Sequence, residues 1–175
     1  MTANLKTLEL IQAAIDRINA AVLAAELSFT PVLVQEGDLA FYAANPIPAN
    51  DLPAVLVKAS SIGIEIGQGE LADVGGDLVG TRTTLRLVLV DTWENGQQVV
   101  ARKIQRTQEL AQAFVRGSGQ PYTMGASVPG YVIVHALPVA IELDPDEDAL
   151  VSQQQEQQVY ATAITLEVLG RSSRV

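Results

Sequence analysis

The sequence TRTTLRLVLVDTW, at positions 81–93, carries the clearest secondary-structure signal in the chain. Leu85, Leu87 and Leu89 alternate with polar or β-branched residues, and this period of two is typical of a β-strand. The leucines predict one strongly apolar face, while Arg86 and Val88 point to the other side. We therefore expect a long strand that packs against a core through its leucine face.

An amphipathic helix is predicted before this strand. Its apolar residues recur at steps of three and four, whereas Glu9, Asp16 and Arg17 fall elsewhere around the helix. The residues from Ser28 to Pro31 are expected to end it. The predicted apolar stripe consists of Leu5, Leu8, Ile11, Ile15, Ile18, Val22 and Ala25.

A second helix is predicted from about Gln97 to Arg116, after a turn at Asn95–Gly96. Its opposite face is basic, with Arg102, Lys103 and Arg106. Such a face is either solvated or a partner of acidic side chains, and we favour the second interpretation. The predicted apolar stripe consists of Val100, Ile104, Ala111, Phe114 and Val115.

Further β-prone runs complete a predicted sheet. Two long strands are expected at Tyr131–Leu143 and at about Gln157–Leu169, and their hairpin should project beyond the core because ordinary strands have only about five or six residues. Alternation in the first of these strands groups Tyr131, Ile133, His135, Leu137, Val139 and Ile141 on one face. Short strands are predicted at Val32–Val34, Leu39–Tyr42, Ala54–Val57 and Ile62–Ile66.

This order of elements favours an α+β fold, because it allows only one βαβ crossover and so disfavours a doubly wound parallel sheet. We expect a single domain over residues 1–175, with a mainly antiparallel sheet, two helices packed on one face and a long projecting C-terminal hairpin. The glycine-rich residues 67–80 predict a flexible loop, and residues 144–157 the hairpin tip.

Composition limits the classes of partner. With 20 acidic and 11 basic side chains, the net charge of -9 opposes binding to nucleic acid or to anionic membranes. Residues 82–116 carry 6 basic and 3 acidic groups between two acidic flanks, which favours head-to-tail contact between copies. The chain has no cysteine, so disulfides and thiolate sites are excluded. No segment has the apolar length of a membrane helix.

Two patterns resemble functional sites, a dinucleotide-binding motif and a histidine, but each lacks a residue or element that such a site requires. Residues 67–72 fit the dinucleotide pattern G-x-G-x-x-A, with Asp91 about 20 residues further on, but glycines occupy the place of the helix that such a site needs. His135 is the only histidine and has no partner at the spacing of a catalytic or metal motif. We therefore interpret the first as a flexible loop and the second as a half-buried or interface residue.

The acidic residues after the first long strand resemble the start of a calcium-binding loop. Asp144, Asp146 and Asp148 match its first ligand positions, but Ala149 and Gln155 stand where glycine and a bidentate glutamate are required. We interpret the segment as a solvated acidic tip, with a weak cation site or an acidic docking patch as alternatives. No catalytic, cofactor-binding or metal-binding residue is therefore assigned.

Docking surfaces are predicted instead, on the Gly67–Gly80 loop, on the basic face of the second helix and on the acidic tip of the last hairpin. Trp93, at the end of the strand at positions 81–93, is either a core plug or an interface anchor. The interface candidates are Arg82, Arg86, Trp93, Arg102, Lys103, Arg106, Asp73, Asp77, Asp144, Asp146, Glu147 and Asp148.

The order of elements resembles the tail-terminator proteins of long-tailed bacteriophages. The likeness spans nearly the whole chain and rests on an N-terminal amphipathic helix, the Pro-Ala-Val-Leu-Val run at residues 53–57, a long strand ending in Asp91, a second helix after a short turn, and a terminal long hairpin.

The resemblance implies a structural virion protein, without enzymatic activity or cofactor, that assembles in the host cytoplasm. Such proteins form a ring, typically a hexamer, that sits on the last tail-tube ring, stops tube polymerisation and meets the neck connector. In contractile tails the ring also meets the sheath. A head-tail stopper or connector subunit is the nearest alternative, and a small-molecule-binding or enzymatic α+β domain is the alternative from another class.

Overall fold

A computed structural model describes residues 7–35, 49–65, 78–92, 98–115, 131–145 and 159–173. Within these ranges neither helix is long and apolar enough to cross a membrane. The helices are α1 (Thr7–Leu23) and α2 (Gln98–Gln112), and a single turn of 3-10 helix covers Ala49–Asp51. The strands are β1 (Val32–Gln35), β2 (Ala54–Glu65), β3 (Leu78–Thr92), β4 (Tyr131–Glu142) and β5 (Val159–Ser173).

The five strands form one mixed sheet in the order β1-β2-β3-β5-β4. Strand β1 runs parallel to β2, and every other neighbouring pair is antiparallel. The predicted α+β fold with a mainly antiparallel sheet is therefore confirmed.

Both helices pack on the same face of the sheet, as predicted. The buried core joins Leu10 and Ile18 of α1 and Phe114, just after α2, to the leucine face of β3. Leu87 and Ile164 are cross-strand neighbours in this core, and both side chains are almost fully buried. Burial of each such side chain contributes about 1.5–3 kcal/mol, which makes this the main source of stability.

The projecting C-terminal hairpin is not confirmed. Strand β5 lies between β3 and β4 and is paired with β3 along its whole length, from Leu78↔Ser173 to Thr92↔Val159. The two long strands are therefore central and outer strands of the main sheet. Apart from Asp144 and Pro145, the predicted tip lies outside the described residues, as does the predicted strand at Leu39–Tyr42.

The prediction of two separate short strands at Ala54–Val57 and Ile62–Ile66 was wrong, because one strand with a β-bulge covers this region. Apart from Ile66, which lies outside the described residues, both runs belong to the single strand β2, whose register with β3 shifts between Ala59 and Ser61. One extra residue changes the phase of the alternation. Consequently Val57 and Ile62, which differ by an odd number, both lie on the helix-bearing face of the sheet.

The prediction of a single apolar face for β4 was wrong, because this strand contains two further register shifts. They fall between Ile133 and His135 and between Pro138 and Ala140. Between the two shifts Leu137 pairs with Glu167 on one side of the sheet, whereas after the second shift Ile141 pairs with Ile164 on the other side. The backbone of His135 pairs with Leu169. The predicted alternation fails because each bulge exchanges the two faces.

The second face of β3 is also partly apolar and buried. Val88 and Val90 are no more than 2% exposed and form a smaller core with Leu56 and Ala163, against which Leu52 packs. The prediction that only the leucine side of this strand is buried was therefore wrong at its C-terminal half.

Most of the apolar residues predicted for the two helices are buried or partly buried, with exceptions. Leu8 and Val100 are exposed, whereas Arg17 and Lys103 are buried. Arg17 can be buried because its guanidinium donates to the Ala113 carbonyl at 2.6 Å and to a Glu26 carboxylate oxygen at 2.5 Å. A charged side chain that is paired in this way avoids most of the penalty of leaving water.

Helix α1 also ends earlier than predicted. Ala25 has a φ of 56°, a left-handed conformation that stops the helix before Ser28. The amides of Ala25 and Glu26 donate to the carbonyls of Val22 and Ala21. This is the hydrogen-bond pattern of a Schellman cap.

Candidate interaction surface

The basic face of α2 is directed at the end of the sheet. Lys103 is only 7% exposed, and Arg102 and Arg106 are half-buried. All three have acidic partners within the chain, which agrees with the favoured interpretation that this face meets acidic side chains. Their use as an external docking surface remains a prediction.

Asp91, the penultimate residue of β3, lies at the centre of this basic face. Its Oδ2 accepts a hydrogen bond from the Arg106 guanidinium and another, of 2.9 Å, from the Tyr160 hydroxyl. Its Oδ1 accepts the Thr92 amide at 2.8 Å, and Arg102 Nε lies 4.0 Å from Oδ2. These contacts make the carboxylate a structural anchor for α2 at the end of the sheet. The glycine pattern at residues 67–72 lies outside the described residues.

Tyr160 of β5 extends the cluster across the sheet. Burial and the adjacent Asp91 carboxylate raise the pKa of its hydroxyl to about 12. The Lys103 ammonium lies 5.9 Å from the centre of the Tyr160 ring and 2.5 Å from Asp144 Oδ1. Asp144 itself is exposed. The cluster thus connects α2 and three strand ends through neighbouring opposite charges.

Hydroxyl groups fasten the middle of α2 to β5. Thr107 Oγ1 donates to the Lys103 carbonyl at 2.6 Å and lies 2.8 Å from Thr162 Oγ1. The Arg106 guanidinium lies 5.1 Å from the centre of the Phe29 ring, a cation–π distance. These contacts hold the basic residues in fixed positions against the sheet.

Arg82 and Arg86 lie on the opposite face of the sheet and each has a glutamate partner. Arg82 Nη1 is 2.7 Å from Glu167 Oε1. Arg86 makes a bidentate contact with Glu142, in which Nη1 donates to Oε1 at 2.9 Å and Nη2 donates to Oε2 at 3.1 Å. These hydrogen bonds lower the pKa of the Glu142 carboxyl. The structure therefore places these two candidates away from the α2 cluster.

The remaining predicted interface residues lie outside the described residues. These are Trp93, Asp73, Asp77, Asp146, Glu147 and Asp148. The side chain of His135 is also outside them. In the described part of the chain, no three acidic or histidine side chains come close enough together to hold a metal ion.

Two exposed apolar strand segments were not predicted from the sequence. The first, the β2 edge segment, is the run Ser60–Ile64, and the second, the β4 edge segment, is the run Val139–Leu143; every residue in both is exposed. The large side chains in them are Ile62 (40% exposed), Ile64 (53%), Val139 (51%), Ile141 (45%) and Leu143 (41%). Alternation predicted these strands, but only the strand order shows that both lie at the outside of the sheet.

The two edge segments lie on opposite sides of the sheet. Among the described residues, β1 covers the outer side of β2 only along Ala54–Val57, and β4 has β5 as its one neighbour. Exposed apolar strands at a sheet edge are sites of strand pairing with another chain. The structure therefore presents two separate surfaces suited to protein contact.

No known protein family and no curated protein matches the sequence of this chain.

Proposed function

We propose that this chain is a structural subunit of a bacteriophage tail-terminator ring, which caps the tail tube and joins the tail to the neck. The observation that carries the proposal is the presence of two apolar edge segments on opposite sides of one sheet. Two different surfaces on one subunit make a heterologous contact, and such contacts close into rings when the rotation between copies allows it.

The polar cluster around Asp91 supports a structural role rather than catalysis. An active site needs a group that is free to act on a substrate. Here the Asp91 carboxylate is buried and already bound by Arg106, Tyr160 and the Thr92 amide. The Tyr160 hydroxyl donates to that carboxylate, and its raised pKa keeps it protonated at neutral pH.

The proposed partners are further copies of the chain, the tail-tube protein and the neck connector, with the sheath protein added in contractile tails. The proposed location is the neck of the virion, after assembly in the host cytoplasm. The acidic composition suits contacts between proteins better than contact with packaged DNA.

A tube-capping assay tests the proposal. The purified protein is added to polymerising tail-tube protein of the same phage, and tube lengths are measured by electron microscopy. We expect a ring at one end of each tube and shorter tubes as the ratio of this protein rises. Tubes of unchanged length with bare ends would contradict the proposal.

The same assay distinguishes a tail terminator from a head-tail stopper, which is the nearest alternative function. A head-tail stopper subunit should bind the head connector and leave tube growth unchanged. Adding connector and tube proteins separately therefore distinguishes the two roles.

A further inference from the structure

We infer that copies of this chain join head to tail by strand pairing, with the β2 edge segment of one copy beside the β4 edge segment of the next. The inference rests on the proposed ring-forming role and names the contact that builds the ring. Both segments are five residues long and exposed throughout, and each carries large apolar side chains.

The strand directions suit this contact. Strand β2 is antiparallel to β3, β3 to β5, and β5 to β4, so β2 and β4 of one subunit point in opposite directions. When copies follow one another in the same orientation, β4 of one lies antiparallel to β2 of the next. The mixed sheet therefore continues from copy to copy with the pairing that most of it already uses.

The apolar side chains also lie on matching faces. Ile62 pairs with Thr83, and Ile64 with Thr81, on the helix-bearing side of the sheet. Ile141 pairs with Ile164, which belongs to the core under the helices. In a continued sheet, Ile62 and Ile141 therefore meet on the same face, where directly opposed side chains stabilise the pairing.

Strand β1 fixes the offset between copies. Within one subunit Ile141 is level with Val57, through the pairs Ile141↔Ile164, Ile164↔Leu87 and Leu87↔Val57. The outer side of Val57 is already occupied by Gln35 of β1, so a neighbour cannot pair at the same level. The next copy must shift until β4 passes β1 and reaches the part of β2 with which β1 does not pair.

The simplest register then places Ile62 opposite Ile141 and Ile64 opposite Val139 of the next copy. This arrangement removes the exposed edge segments from water and pairs their backbone groups, which offsets the cost of ordering two subunits.

The shift required between neighbouring copies corresponds to a strand tilt like that of closed β-barrels. Ile62 is level with Thr83, four residues from Leu87 along β3, which corresponds to a shift of about 13 Å at ~3.3 Å per residue. The four strands from β2 to β4 span about 19 Å at ~4.8 Å per strand. The ratio gives a strand tilt of about 35°, at the lower end of the range typical of closed barrels.

Disulfide cross-linking tests this contact directly, because the natural chain has no cysteine. Ile62→Cys and Ile141→Cys are prepared as separate variants of different mass, mixed and oxidised mildly. Opposed residues in antiparallel strands have Cα atoms about 4.5–5.5 Å apart, within the reach of a disulfide. We expect a covalent dimer containing one copy of each variant.

A matched control uses Ser61→Cys mixed with Ile141→Cys. Ser61 is also exposed but pairs with Thr84 on the other face of the sheet. We expect roughly tenfold less mixed dimer from this pair, since thiols on opposite faces cannot reach disulfide geometry. Equal yields from the two mixtures would overturn the proposed register.

The outcomes separate this inference from the proposed function. Rings seen by electron microscopy without a 62–141 cross-link would overturn the edge contact and leave the terminator role standing. Cross-linked rings that fail to cap tubes would support the edge contact and contradict the terminator role. A protein that remains monomeric at all concentrations, including with tube protein present, would overturn both.

Discussion

The Tyr131 hydroxyl, at the start of β4, lies 2.6 Å from the Thr81 hydroxyl of β3, although β5 separates these two strands. The tyrosine ring passes directly over Gly170 of β5, where the methyl carbon of an alanine would lie 2.0 Å from the ring. The contact thus depends on a residue without a side chain in the strand between. Both hydroxyl-bearing residues are buried, so the bond ties the outer strand β4 to the centre of the sheet.

Gly170→Ala should destabilise the protein, because the added methyl group overlaps the Tyr131 ring. We expect the free energy of unfolding to fall by roughly 1–3 kcal/mol, the usual cost of overpacking. Urea denaturation followed by circular dichroism measures it. Gly63→Ala is the control, since a methyl group there would meet its nearest atom, the Arg82 carbonyl oxygen, at an ordinary 3.6 Å. Equal losses in the two variants would contradict the account.

Thr81→Val and Thr83→Val should differ, although both threonines are fully buried on the same face of β3. Thr81→Val leaves the buried Tyr131 hydroxyl without its partner and should cost about 1–3 kcal/mol of unfolding free energy. Thr83 Oγ1 has no hydrogen-bond partner among the described residues, so its replacement should be neutral or stabilising. Chemical denaturation of the two variants makes the comparison, and a larger loss from Thr83→Val would contradict it.

Asp91→Asn should be among the most destabilising single substitutions in the α2 cluster. It removes the buried negative charge that faces Arg106 and Arg102, and breaking such a buried pair costs about 3–5 kcal/mol. Glu142→Gln at the more exposed contact with Arg86 is the control, with an expected loss below about 1 kcal/mol. Thermal and urea unfolding of both variants measures the difference. A loss at Glu142 as large as that at Asp91 would show that burial does not control these ion pairs.

Tyr160 should make stability fall at high pH. Its folded-state pKa of about 12 lies above the ordinary value of 10.0, so folding favours the protonated hydroxyl. The stabilisation is fully present below the unfolded pKa near 10 and is lost as the pH rises through about 12. Urea unfolding at stepped pH should show a smaller decline over this interval in Tyr160→Phe than in the natural protein. Identical declines would argue against this ionisation.

The sequence predicted the central part of the fold well because the pattern there is uninterrupted. Leu85, Leu87 and Leu89 alternate without a break, and all three are buried on the predicted face. The alternation failed where β-bulges inserted one residue, as beside Ala59 and His135, because a bulge leaves no distinct mark on composition.

The interaction surfaces were harder to predict than the core. Lys103 and Arg106 are charged, so their spacing indicated a solvated or docking face, but partners distant in sequence bury them in part. Ile62 and Ile141 are apolar and looked like ordinary sheet residues. Their exposure follows from the strand order, which depends on long-range pairing that no local pattern records.

Sedimentation velocity of the natural protein and two lysine variants tests the head-to-tail ring most directly. Ile141→Lys places a charge in the β4 edge segment, whereas Val100→Lys changes an even more exposed apolar residue on α2, outside both edge segments. We predict that the natural protein and Val100→Lys sediment as one discrete ring-sized species and that Ile141→Lys sediments as a monomer. A natural protein that stays monomeric at every concentration, or an Ile141→Lys variant that assembles like the natural protein, would contradict the account.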